Sequence, residues 1–282
     1  MGLRVARPAR FRIVRMFHEG GIRLHFEIGT SVLLFFSAIG IGIFASLLGI
    51  GGGVFMVPLL LLGGFVTTQP DAAGTSIAAV LFTGISASIA YFRRKAIDFR
   101  IGFLFMPSAI GGVFLGRTIV SIVDARWLTL AFGIFLFYPA TLMLLGRTSK
   151  DVSSNPGNRA SGWTYYALVV ILGFVAGTAT KLFGIGGGTV FVPSLVLFLG
   201  LDIVTAIAVS LFVMIPTAAL SAATSWIDGT LHLELAIPLI LGIIIGAQIG
   251  PYLGAKIPKK RLRQLFGLVL IYAAVNMILK AV

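Results

Sequence analysis

The sequence predicts an all-α polytopic membrane protein built from two tandem repeats, inverted relative to each other, each with three to four full spans plus a broken or re-entrant glycine-rich segment. Three observations lead there: an apolar excess too large for a water-soluble domain, uncharged runs of membrane-crossing length, and one motif that occurs twice in register.

The 282 residues are 58% hydrophobic and 11% charged, with a mean hydropathy of +1.04. A soluble domain of this length cannot hide so much apolar surface, so the solvent is lipid. Runs of about 20 uncharged residues match a hydrocarbon core of roughly 30 Å crossed by a helix. Between Glu27 and Arg93 the only charged residue is Asp71. All nine acidic residues fall at or beside gaps between apolar runs, so the carboxylate relay that many proton pumps bury inside their spans is not expected. His18, His25 and His232 also lie outside the apolar runs, and there is no cysteine. No metal cluster, redox centre, disulfide or cofactor is therefore expected.

The net charge of +13 would suggest nucleic acid in a soluble protein. Here six of the 22 basic residues lie in the first 23 positions and most others flank spans, which is membrane-orientation chemistry. The expected partners are the lipid bilayer and a small anionic substrate, with no nucleic acid; a homo-oligomer is left open. Residues 1–27 form a basic tail with no small-residue cleavage pattern after it, so it is not read as a removed signal peptide. An interfacial amphipathic segment from Phe11 to Phe26 and a disordered tail are both compatible with it.

The repeat is set by Gly49-Ile50-Gly51-Gly52-Gly53, which recurs as Gly184-Ile185-Gly186-Gly187-Gly188, and by Val57-Pro58, which recurs as Val192-Pro193, an offset of 135. After one residue is lost in the following loop, an offset of 134 aligns Ala72 with Ala206, Ser76 with Ser210, Gly112 with Gly246 and Phe132-Gly133 with Phe266-Gly267. The first repeat, 28–145, has apolar segments at Ile28–Leu48, a short Val54–Leu62, Ala72–Phe92, Ile101–Ser121 and Trp127–Leu145. A polar linker, 146–162, leads to the second repeat, 163–282, with segments at Trp163–Phe183, a short Val190–Leu199, Ile203–Ile227, Leu235–Ala255 and Leu262–Leu279.

Equivalent loops carry opposite charge signals. After the third segment the first repeat has Arg93, Arg94 and Lys95, where the second has Trp226, Ile227 and Asp228; after the fourth, the second repeat has Lys256, Lys259, Lys260, Arg261 and Arg263, where the first has Asp124 and Arg126. The positive-inside rule then inverts the halves, an arrangement of secondary transporters whose site lies at the repeat interface. One observation opposes it: a cytoplasmic 93–95 loop puts the arginine-rich tail outside. Parallel repeats, or a first glycine hairpin that crosses differently from the second, remain the alternatives.

The segments after the glycines are too short to span and read as half-helices. Non-helical backbone at membrane depth survives only where protein or a cavity covers it. Half-helices starting near Gly53 and Gly188 would turn partial positive charge toward a ligand, which suits an anion. Pro58 and Pro193 fall within the first two turns, where a missing donor costs least. Thr75, Ser76 and Ser210 add hydroxyls that can donate to an oxyanion. The candidate substrate-binding set is thus Gly51, Gly52, Gly53, Thr75, Ser76, Lys181, Gly186, Gly187, Gly188 and Ser210, with no catalytic and no metal-binding residue. Close helix packing of the GxxxG type and hydroxyls bonded to their own helices are the competing reading. Lys181, set in an apolar run with Ser46 as its repeat partner, either holds an anion or snorkels to an interface. Arg117 reads as an interface anchor, and Gln248 and Asn276 as partners in hydrogen bonds between helices.

At the two GIGGG-x-x-x-VP elements, followed by Ala72-Ala73-Gly74-Thr75-Ser76 and the weaker Ala206-Ile207-Ala208-Val209-Ser210, the chain resembles the TauE/SafE family of membrane permeases over about residues 28–280. The resemblance implies a multi-pass transporter of the bacterial inner membrane that moves sulfur-containing anions such as sulfite or small organosulfonates, with export as the expected direction. Val209 departs from the Gly-Thr-Ser pattern, and Lys181 is not carried over from the family. An intramembrane serine hydrolase lacks a base beside Ser76 or Ser210. A non-transporting subunit or sensor would need a partner surface or a further domain, and a cation channel would need acidic mouths.

Overall fold

The computed structural model describes residues 28–122, 130, 134, 137, 140–145, 163–184 and 186–281. The basic tail, the linker and most of the fifth segment of the first repeat therefore lie outside the described residues. The elements are α1 (Ile28–Leu48), α2 (Gly53–Leu62), α3 (Gln69–Arg93), α4 (Phe99–Ile122), α5 (Trp163–Phe183), α6 (Gly188–Pro193), which continues through a π-helical turn (Ser194–Phe198), α7 (Ile203–Ile227), α8 (Leu233–Gly254) and α9 (Lys259–Ala281). Six of these helices, α1, α3, α4, α5, α7 and α8, are long and apolar enough to cross a membrane. The chain is an all-α, multi-pass membrane protein.

Helix starts follow local chemistry at matching repeat positions. Thr68 caps α3 by accepting the Asp71 N–H, and Asp202, its partner at offset 134, caps α7 by accepting the Val204 N–H. Pro70 stands in the first turn of α3, where its missing donor is no loss.

The order of packing is set by small residues. Along α1 and α8, Gly242 meets Phe35 and Ala38, Gly246 meets Ile39 and Ile43, and Gly250 meets Ile43 and Ser46. The numbers rise together, so the two helices run parallel in close contact. The same holds for α4 and α5, where Gly173 meets Phe105 and Ser108, Gly112 meets Phe174 and Thr178, and Gly116 meets Thr178 and Lys181. Each repeat thus lends its first helix to the fourth segment of the other.

Helices α3 and α7 occupy the centre; 72% and 61% of their apolar windows are buried, against 33% to 44% for the outer spans. Outward faces carry Phe36, Phe103, Ile171 and Leu241, all exposed, as lipid-facing helices require. Helix α8 runs parallel to α3, since Thr75 meets His232 while Ser86 meets Ile244 and Gln248. Helix α7 runs parallel to α4, since Gly102 meets Phe212 while Arg117 meets Asp228. The short turn at 94–98 makes α3 and α4 antiparallel, so the repeat equivalents α3 and α7 are antiparallel too.

This topology sorts the charges. Arg93, Arg94, Lys95 and Arg100 gather at one end with Lys256, Lys259 and the residues that follow it, where Arg94 lies over the Tyr252 ring at 4.5 Å and Lys259 pairs with Asp202 at 2.9 Å. Asp71, Arg117, Lys181, Asp228, His232 and Glu234 gather at the other.

Candidate functional site

Both glycine segments break helix geometry in the same way. Gly51 and Gly52 have φ of 79° and 90°, and Gly186 and Gly187 have 82° and 67°. Two successive left-handed residues turn the chain back after a full helix, a conformation that L side chains resist. Gly52 and Gly187 are the N-caps of α2 and α6, and the Phe55 and Met56 N–H groups donate to the Gly52 carbonyl as the Val190 and Phe191 N–H groups donate to that of Gly187.

The two turns meet. Gly51 and Gly186 each lie against both Val80 and Met214, which are themselves repeat partners at mid-length of α3 and α7, and Gly188 lies on the Gly49 backbone. Two reciprocal bonds join the halves: Ser76 Oγ donates to the Gly184 carbonyl at 3.1 Å, and Ser210 Oγ donates to the Gly49 carbonyl at 3.0 Å. Ser76 also lies 3.0 Å from the Ala73 carbonyl of its own helix. Gly51, Gly52, Gly53, Gly186, Gly187, Gly188, Ser76 and Ser210 are all buried here, so the turns close on each other at the centre.

Two residues of the candidate set stand apart. Thr75 is buried, but its hydroxyl accepts the His232 N–H at 3.1 Å, facing the hairpin between α7 and α8 rather than the glycine turns. Lys181, on the last turn of α5, donates from Nζ to Ser225 Oγ at 3.1 Å and lies 3.7 Å from Asp228, which also pairs with Arg117 at 2.8 Å. The same hairpin brings His232 within 3.5 Å of Asp71 and 3.3 Å of Glu234. Of the polar residues set in spans, Gln248 bonds across to Ser86, whereas Asn276 bonds to the Tyr272 carbonyl of its own helix.

Some participants had no local signal. Arg117, Lys181 and Asp228 are tens of residues apart and meet only because α5 pairs with α4 and both end beside α7. Thr189, directly after the second glycine run, has a buried hydroxyl with no hydrogen-bond partner, where the first repeat has Val54.

With that geometry in place, the comparisons with known proteins decide the family. The family model of the sulfite exporters TauE/SafE matches residues 34–277. The chain belongs to the TauE/SafE family. Among relatives of this family member, a probable membrane transporter protein of Bacillus subtilis, YunE, is 26% identical over 258 residues, covering 86% of this chain and 94% of that protein. One from Xylella fastidiosa strain 9a5c is 30% identical over 242 residues, covering 84% and 91%, and one from Haemophilus influenzae is 29% identical over 257 residues, covering 85% and 94%. No solved structure matches at a significant level. Family and relatives agree on a membrane transporter, and the two glycine turns of this TauE/SafE protein fall inside the matched span.

Proposed function

We propose that this TauE/SafE protein is a secondary transporter of a small anion, a sulfur oxyanion or organosulfonate, exported across a bacterial inner membrane, and that it is not an enzyme. The reciprocal Ser76–Gly184 and Ser210–Gly49 bonds carry the reading. They join two left-handed glycine turns, each opening a short helix, where the two central helices cross. Backbone N–H dipoles and neutral hydroxyls at such a junction suit an anion and bind it without a fixed charge that would retain it.

The antiparallel run of α3 and α7 supports inverted halves, related by an axis perpendicular to the helices. Rocking one half against the other would part the turns toward either side in alternation. In that movement the serine hydroxyls exchange a carbonyl for a substrate oxygen. Placing the basic end in the cytoplasm follows the positive-inside rule; it also sets Ile28, the start of α1, on the far side, the consequence already noted for the tail. Lys181 and Arg117 then supply positive charge at the outer mouth.

The test is flux of labelled sulfite, sulfate, thiosulfate and sulfoacetate through liposomes holding the purified protein, at imposed potentials of both signs. Transport of one of these anions that responds to potential and drops at least tenfold in Ser76→Ala supports the reading. Folded protein that moves none of them removes it, and moves weight to a non-transporting membrane subunit.

A further inference from the structure

We propose that Arg117 and Lys181 form an anion-binding site at the end of the bundle opposite the basic one, and that Asp228 is a tethered stand-in which the incoming anion displaces. The role of this site in reception of the substrate rests on the permease reading above. Arg117 comes from α4 and Lys181 from α5, and Asp228 caps the C-terminus of α7. One carboxylate thus answers two cations, which leaves the group one positive charge in excess. Lys181 is the more enclosed, with its side chain 9% exposed, while Asp228 is 36% exposed.

Two observations argue that the carboxylate is a placeholder. A helix C-terminus carries partial negative charge, so Asp228 is held there against the α7 dipole. The repeat supplies an internal control. The positions equivalent to Arg117, Lys181, Ser225 and Asp228 are Pro251, Ser46, Tyr91 and Arg94. At the basic end that contact is closed by a neutral bond, Tyr91 Oη donating to the Ser46 carbonyl at 3.1 Å, with no carboxylate in it. Joining these helices does not need the ions, so the ions serve another purpose. The guanidinium fork of Arg117 and the ammonium of Lys181, with the Ser225 hydroxyl 3.1 Å from Lys181 Nζ, suit an anion that offers two or three oxygens on one centre, as sulfite, sulfate and sulfonates do.

A phospholipid phosphate has the same chemistry, and the experiment separates it from a soluble anion. Purified protein in maltoside free of phospholipid is titrated calorimetrically with sulfate, sulfite and sulfoacetate at low ionic strength. Asp228→Asn is expected to bind one of them roughly tenfold more tightly than wild type, since a competing charge 2.8 Å from Arg117 and 3.7 Å from Lys181 is gone. Adding Arg117→Gln to that variant is expected to abolish the gain, and because Arg117 is 43% exposed this change does not disturb a packed core. Lys181→Gln should do the same, with Lys181→Arg restoring it. Asp228→Asn that binds no tighter overturns the proposal, as does a gain that survives loss of both cations or that appears only with added phosphatidylglycerol. Flux in wild type without any effect of Asp228→Asn on binding removes this site and leaves the permease reading standing; tight binding to Asp228→Asn without flux in wild type does the reverse.

Discussion

Ser76 and Ser210 make the same bond in opposite halves, so equivalent substitutions should have equivalent effects. Each replacement by alanine leaves a buried glycine carbonyl short of a donor, a loss of about 1–3 kcal/mol. Thermal unfolding in detergent is expected to show similar drops for Ser76→Ala and Ser210→Ala. Markedly unequal drops would mean that one bond is absent in solution. Gly51→Ala combines a left-handed φ with a Cβ 2.6 Å from Met214 Sδ, and the backbone alone costs roughly 1–2 kcal/mol. Gly186→Ala should behave alike, and both should lower the midpoint further than either serine change. The glycines were legible because a run of four in five positions that recurs is hard to arise by packing alone. The carbonyl partners were not, since nothing local ties Ser76 to a residue 108 positions away.

At the scale of the helix, the glycines on α4, α5 and α8 matter for what they leave out. A Cβ on Gly112 would collide with the Phe174 carbonyl, and one on Gly246 with that of Ile39. Gly112→Leu is expected to part α4 from α5 and Gly246→Leu to part α1 from α8, each with reduced yield of monodisperse protein on size-exclusion chromatography. Gly40→Ala is the control: no heavy atom lies within 4 Å of a Cβ there, and the helix interior favours alanine by about 1 kcal/mol, so its midpoint should hold or rise. Helix limits were readable from the apolar runs because lipid enforces them: Ile28–Leu48, Trp163–Phe183 and Ile203–Ile227 are both the apolar segments and the helices. The π-helical turn after Pro193 was not, since Pro58 stands at the matching place inside an unbroken α-helix. Arg117, read as an interface anchor, gains its ion pair only from the side-by-side ends of α4 and α7.

For the whole molecule, sorting charges to two ends makes a claim about sidedness that the natural lack of cysteine renders simple to check. Lys95→Cys and Lys256→Cys lie at one end and Leu233→Cys at the other. A membrane-impermeant maleimide applied to intact cells should label only Leu233→Cys, and opened membranes should yield all three. Labelling of Lys95→Cys and Lys256→Cys on opposite sides would contradict the parallel run of α3 and α8. The sequence alone left parallel repeats as an alternative because the tail's arginines and the loop charges pull opposite ways.

The exchange of first helices between the halves also bears on how the protein is made. Helix α1 ends at Leu48 and its close partner α8 begins at Leu233, 185 residues later. At the roughly 5–20 residues per second of synthesis, α1 waits some 10–40 seconds in the bilayer with its small-residue stripe unmatched. Helix α5, by contrast, emerges to find α4 already inserted. The N-terminal half on its own is an unfinished body, so truncation after the linker should yield a product that membrane proteases clear, and co-expression of residues 163–282 should rescue it.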